Sequence, residues 1–161
     1  MELLIMCVIA WLTVAIFTFL PYKMSVAANI LNYLMIAVVD INKISFLAFH
    51  YQCIEISSDT IRFISFIVYR DIIFSFLLLI LVNIWFAFHH KWIRFLAAVG
   101  TLGIIAILRV LLSSLSIFTY KHWSFIHELL MDVVMLLLTV LIAYMSRKIT
   151  KGMKTSEKHP I

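Results

Sequence analysis

Residues 3–20 read LLIMCVIAWLTVAIFTFL, eighteen consecutive positions without a charged side chain. A helix needs about 20 mostly apolar residues to cross the hydrocarbon core of a bilayer. No positively charged segment precedes this stretch, and no A-x-A cleavage site follows it. We therefore interpret it as a retained transmembrane helix rather than a signal peptide.

The rest of the chain has the same character. Hydrophobic residues make up 65% of the sequence and charged residues 13%, whereas soluble domains are nearer half apolar and a quarter charged. The sequence predicts an all-α polytopic membrane protein, a bundle of about five transmembrane helices within residues 1–146. The predicted spans are 3–20, 24–49, 62–88, 92–118 and 125–145, followed by a basic, flexible cytoplasmic tail at 147–161. Because the connections are short, consecutive helices should be antiparallel neighbours.

The distribution of Lys and Arg predicts the orientation of the bundle. With five spans, the N-terminus and two connections share one side, which carries Lys43, Arg62 and Lys121. The opposite side carries eight cations, Lys23, Lys91, Arg94, Arg147, Lys148, Lys151, Lys154 and Lys158. Cytoplasmic loops are enriched in Lys and Arg, so we expect the N-terminus outside the cell membrane and the C-terminus in the cytoplasm. The tail should touch anionic lipid headgroups, and we expect no nucleic-acid partner.

Polar residues on three of the predicted helices fall into narrow stripes. At 100° per residue the stripes cover arcs of about 80°, 60° and 40° on the second, fourth and fifth helices. Their members are Asn29, Asn32, Asp40 and Lys43; Arg109, Ser113 and Ser116; and Glu128, Asp132, Thr139 and Ser146. A charge in a spanning helix costs about 2.5–3.5 kcal/mol and normally faces protein or water. We therefore expect the stripes to face one another.

The outer half of the bundle is predicted to hold an intramembrane charge cluster, either structural or ligand-binding. Its members are Asp40, Lys43, Arg70, Asp71, Arg109, Glu128 and Asp132. Within it, Arg109 is expected to hold Asp132 through two parallel hydrogen bonds, which suit the planar guanidinium. Nearer the cytoplasmic ends, Asn29 and Asn83 are expected to form a hydrogen bond, with Asn32 close by.

Three functions are compatible with these features. In the first, the cluster orients the helices or docks a partner in a structural or accessory subunit of a membrane complex. In the second, it lines an outward-facing cavity of a small-molecule or ion transporter. In the third, His122, His127, Glu128 and Asp132 serve a membrane enzyme. His127 points about 100° away from Glu128 on a helix, and the sequence has no HExxH, GxSxG or P-loop motif.

The expected partners are the lipid bilayer and either other membrane subunits or further copies of the chain. No residue is assigned to catalysis, a metal or a cofactor, and none of these is expected. Cys7 and Cys53 match no zinc or redox spacing, and the sequence leaves open whether they pair.

Three short features give the chain a family resemblance. They are Phe19-Leu20-Pro21 after the first apolar run, Asp40 within the second span, and Thr119-Tyr120-Lys121-His122-Trp123 before the last span. In these features the chain resembles small, largely uncharacterised multi-span membrane proteins of spore-forming Gram-positive bacteria. The resemblance implies a bacterial cell membrane and no particular activity.

Overall fold

The structure, a computed structural model, describes residues 1–20, 23–121 and 123–156. Its main elements are five helices that are long and apolar enough to cross a membrane. They are α1 (Glu2–Phe19), α2 (Val26–Ser45), α3 (Thr60–Ala87), α4 (Lys91–Ser114) and α5 (Phe125–Ser156). A π-helical turn, Phe46–His50, extends α2, and a π-helical segment, Val68–Phe74, lies within α3. The predicted number and order of helices are confirmed.

Side-chain caps fix where two of the helices begin. The Ser25 hydroxyl accepts a hydrogen bond from the Ala28 N–H at 3.2 Å, and the Asp59 carboxylate accepts one from the Ile61 N–H at 3.2 Å. Each cap satisfies a backbone donor that has no partner within the helix. These two residues therefore set the starts of α2 and α3.

The helix within the fourth predicted span, approximately 92–118, ends earlier than that span, at Ser114. Ser116 has a left-handed backbone with φ 54°, and the Ile117 N–H turns back to the Leu112 carbonyl at 3.0 Å. A left-handed residue cannot continue a right-handed helix. The chain therefore leaves the helix within residues 113–116, three of which are serines.

A two-stranded antiparallel sheet follows from this turn, and the sequence did not predict it. Strand β1 (Ile54–Ile56) pairs with strand β2 (Phe118–Tyr120), with Ile54 opposite Tyr120 and Ile56 opposite Phe118. The sheet joins the connection between α2 and α3 to the connection between α4 and α5. At the same end, Glu2 Oε1 at the start of α1 lies 3.4 Å from Arg62 Nε at the start of α3. We call this end, with Met1 and both strands, the sheet end.

Helix α3 lies at the centre of the bundle. In its most apolar 18-residue window 56% of the residues are buried, against 17% to 39% for the other four helices. Phe74, Leu78, Leu81 and Val82 are almost fully buried on it. Most large apolar side chains of α1, α2 and α4 lie on the outside instead, as expected for helices that face lipid.

The last helix is longer than predicted. A span ending at 145 and a flexible tail were expected, but α5 continues to Ser156. The Arg147 guanidinium lies over the Phe86 ring at 4.9 Å and holds this extension against α3. Lys, Arg and Met favour helices, so the helix continues past the apolar stretch. Lys158 and the other residues after Ser156 lie outside the described residues.

Candidate functional site: a buried ion network

Five charged side chains from three helices meet near the sheet end, and we call them the ion network. They are Asp40 and Lys43 on α2, Arg109 on α4, and Glu128 and Asp132 on α5. None is more than 8% exposed. The sequence predicted all five as members of one cluster, and the structure brings them into mutual contact.

Arg109 is the centre of the network. Its Nε and Nη2 donate to the two carboxylate oxygens of Asp132, both at 2.7 Å. Its Nη1 lies 2.7 Å from Glu128 Oε1. The predicted two-bond contact between Arg109 and Asp132 is confirmed. One guanidinium thus holds two carboxylates, which the five N–H donors of Arg allow.

Lys43 supplies the second positive charge. Its Nζ lies 3.0 Å from Asp40 Oδ1, one turn earlier on the same helix, and 3.6 and 3.7 Å from Asp132 and Glu128. It also lies 5.1 Å from the centre of the Phe74 ring on α3. A cation above an aromatic face is attracted to the ring electrons. Lys43 therefore links α2 both to α5 and to the central helix.

Arg70 and Asp71, the other two members of the predicted cluster, form a separate ion pair, although Arg70 lines a cavity beside the network. They pair with each other at 2.7 and 3.1 Å and are partly exposed. Both belong to the π-helical segment of α3, where the Tyr33 hydroxyl donates to the Asp71 carbonyl at 3.1 Å. The structure joins Arg70 and Asp71 to each other, and among the described residues neither forms an ion pair with the five network members.

The predicted stripes on α2 and α5 are confirmed, since all of their members are buried. The stripe on α4 is confirmed only at Arg109. Ser113 is half-buried, while Ser116 is exposed and lies beyond the end of the helix.

A small cavity adjoins the network on the side of the sheet. Asp40, Glu128, Arg109 and Tyr69 line it, and the space open to the centre of a water is about 20 Å³. A cavity needs about 10–15 Å³ by this measure to hold one water. The site thus has room for about one water molecule.

Two tyrosines that the sequence analysis missed lie near the network. Tyr69 is 3% exposed, and its hydroxyl has no hydrogen-bond partner among the described residues. Tyr120 lies on β2, where burial raises the pKa of its hydroxyl to about 12, although the positive charge of Arg109 acts in the opposite direction. Tyr120 therefore stays protonated at neutral pH. Their positions depend on the π-helical segment and the sheet, which no periodic pattern in the sequence indicated.

His127, one of the two histidines considered for an enzyme, does not join the carboxylates. His127 is exposed, and its ring packs beside Trp123 with 5.1 Å between centroids. Trp123 Nε1 donates to Glu128 Oε2 at 3.1 Å. His122 lies outside the described residues. Within the described ranges, no group of three or more His, Cys, Asp or Glu residues is arranged to hold a metal ion.

A second polar contact lies further from the sheet end. Asn83 Nδ2 donates to Asn29 Oδ1 at 3.1 Å and to the Leu79 carbonyl at 3.0 Å, which confirms the predicted pair. Asn32 is buried beside them but contacts the Met24 sulfur at 3.8 Å instead. The hydrogen bond between Asn83 and Asn29 fixes α2 against α3.

Cys7 and Cys53 are free thiols in the structure.

No protein-family model, curated protein or solved structure matches the chain. The comparisons therefore add nothing to the resemblance described above.

Proposed function

We propose that the chain is a non-catalytic integral membrane protein of the bacterial cell membrane, with its N-terminus outside and its C-terminus in the cytoplasm. In this proposal it serves as a structural or accessory subunit of a membrane complex. The observation that carries the proposal is the ion network. Its five buried charges contact one another, beside a cavity with room for about one water.

The geometry of the network supports a structural role. Each of the three carboxyl groups lies within 3.0 Å of Arg109 or Lys43. One of the three belongs to α2 and the other two to α5. Buried ion pairs contribute little net stability compared with apolar packing, but a broken pair leaves an uncompensated charge. Such a network adds little to the stability of the native packing. Its main effect is to make other rotations of α2, α4 and α5 unfavourable, because they would leave buried charges unpaired.

The outer surface leaves room for a role within a complex. On α1, Met6, Ala10 and Thr13 are buried, whereas Trp11 is 70% exposed and Val8 is 51% exposed. Lipid would cover this face, and so would the helix of another membrane protein or of a second copy. A small bundle in which α1 is only weakly buried suits attachment to a larger assembly.

A transporter is the alternative proposal, and the cavity is the feature that bears on it. Small-molecule pockets usually have volumes of about 300–1,000 Å³. The space beside the network, about 20 Å³, is far smaller. Transport would need the helices to separate at the network, which the Arg109 contacts oppose. The remaining alternative, a membrane enzyme, lacks a histidine beside the carboxylates among the described residues.

Purification in mild detergent tests the proposal, using Arg109→Gln and the matched control Arg70→Gln. We expect the wild-type protein to remain in the membrane after alkaline washing. In detergent it should copurify with another membrane protein in a fixed ratio, or purify as an oligomer of the chain. Arg109→Gln should reduce both folded yield and complex, while Arg70→Gln should leave both unchanged.

Uptake of solutes into reconstituted vesicles is the measurement that can decide for a transporter and against the proposal. If Arg109→Gln folded in normal yield but abolished solute uptake that the wild-type protein catalysed, a transporter would replace the structural subunit. Purification as a lone monomer would remove the accessory role.

A further inference from the structure

The ion network carries more negative than positive groups. Asp40, Glu128 and Asp132 supply three carboxyl groups, against the two cations Lys43 and Arg109. If all five were ionised, one negative charge would be buried without a counter-charge. A buried unpaired charge is so unfavourable that the group usually neutralises instead.

Among the described residues, the charged groups that line the cavity do not supply the missing positive charge. On α3, Arg70 lines the same cavity but is held by Asp71 through two hydrogen bonds, so this pair adds no net charge. Tyr69 on α3 and Tyr120 on β2 are neutral. The other charged residues of the described chain that line the cavity are network members themselves, namely Asp40, Lys43, Arg109 and Glu128.

The hydrogen bonds distinguish the three carboxyl groups. Asp132 accepts two from Arg109, and Glu128 contacts Arg109 at 2.7 Å and accepts one from Trp123 at 3.1 Å. Within the part of the chain that the structure describes, Asp40 contacts a single donor, Lys43 at 3.0 Å. Donors stabilise the ionised form of a carboxyl group. Asp40 is therefore the carboxyl group best placed to carry a proton.

The cavity gives an independent reason to select Asp40. Asp40 and Tyr69 line the same space, which has room for about one water. Tyr69 is almost fully buried, and its hydroxyl finds no partner among the described residues. A buried water is stable where two to four polar groups can bond to it. Asp40 and Tyr69 can provide the first two of these, and Glu128 lines the cavity beside them.

We propose that the ion network binds one proton on Asp40, and that a single water in the cavity joins the Asp40 carboxyl group to the Tyr69 hydroxyl. In the binding step, a hydronium ion arriving from the sheet end transfers its proton to an Asp40 oxygen, forms the O–H bond and leaves as water. The network then contains two negative and two positive groups. Tyr69 lies in the π-helical segment of α3, and such segments are frequent at functional sites.

Infrared spectroscopy of the purified protein tests this proposal at neutral pH in H₂O and D₂O. We expect a C=O band of one protonated carboxyl group per protein, which shifts on deuteration. Asp40→Asn should remove the band, and the matched control Asp71→Asn should retain it. Tyr69→Phe keeps the ring but lacks the hydroxyl, so the band should persist at a shifted frequency.

Three results would overturn the proposal. The first is a folded wild-type protein in which all carboxyl groups are ionised. The second is a band that survives in Asp40→Asn and disappears in Glu128→Gln. The third is a band unchanged by Tyr69→Phe, which decides the matter even if Asp40→Asn fails to fold. None of these results depends on whether the chain is a subunit of a complex.

Discussion

Replacement of Arg109 by glutamine is the strongest perturbation that the structure offers. The variant loses two hydrogen bonds to Asp132 and one short contact to Glu128, each at 2.7 Å. Lys43 then remains as the one cation of the network, at 3.6 and 3.7 Å from these two carboxylates. Removing one partner of a buried ion pair costs about 3–5 kcal/mol. We expect a loss of this size in the free energy of unfolding.

Thermal unfolding in detergent measures the effect. For a chain of this length, 1 kcal/mol corresponds to about 2–4 °C in Tm, so Arg109→Gln should lower Tm by about 6–20 °C. Arg70→Gln is the matched control. Arg70 and Asp71 form a partly exposed pair with each other, whereas Arg109 is buried against two carboxylates. The control should therefore lower Tm by clearly less than Arg109→Gln does.

A double-mutant cycle adds a further condition. In Arg109→Gln combined with Asp132→Asn, one of the two stranded carboxylates is removed, so part of the lost stability should return. The reasoning fails if Arg109→Gln and Arg70→Gln lower Tm equally. It also fails if the double variant is less stable than the sum of the two single effects predicts.

Three further predictions concern other parts of the fold. Asn83→Leu removes the donor to Asn29 and should lower Tm by about 2–4 °C, equivalent to about 1 kcal/mol; an unchanged Tm would show that the amide pair contributes nothing. Ser116→Gly relieves the left-handed backbone at φ 54° and should raise stability by about 1 kcal/mol in the same melting assay, so a lower Tm would contradict this account of how α4 ends. In a Cys7→Ser background, a maleimide that cannot cross membranes should label Cys53 on intact cells, and labelling only after lysis would reverse the proposed orientation.

The sequence predicted those features that depend on a regular helical period. Asp40 and Lys43 are three positions apart, as are many contacts on one face of a helix, and Asp132 lies one turn beyond Glu128. Because α2 and α5 are regular through these residues, their stripes could be placed without coordinates. The pairing of Arg109 with Asp132 followed from their similar depth on two helices joined by a short turn.

The remaining features depend on interruptions of that period. The π-helical segment Val68–Phe74 carries Tyr69, Arg70 and Asp71, and it places Tyr69 and Arg70 at the cavity. Neither glycine nor proline marks this segment, so the sequence carries no local signal for it. The sheet between β1 and β2 was missed because each strand has only three residues, too few for an alternating pattern to stand out.

The contact between Asp40 and Lys43 has a consequence for how the chain enters the bilayer under the proposed function. The two residues lie one turn apart on α2 and reach each other at 3.0 Å, so Lys43 has a polar partner on its own helix as it leaves the insertion machinery. Arg109 has no such neighbour, because its carboxylate partners lie on α5, beyond the next turn. During synthesis α2 can therefore move into lipid by itself, whereas α4 gains its counter-charges when α5 emerges and the two insert together as a helical hairpin.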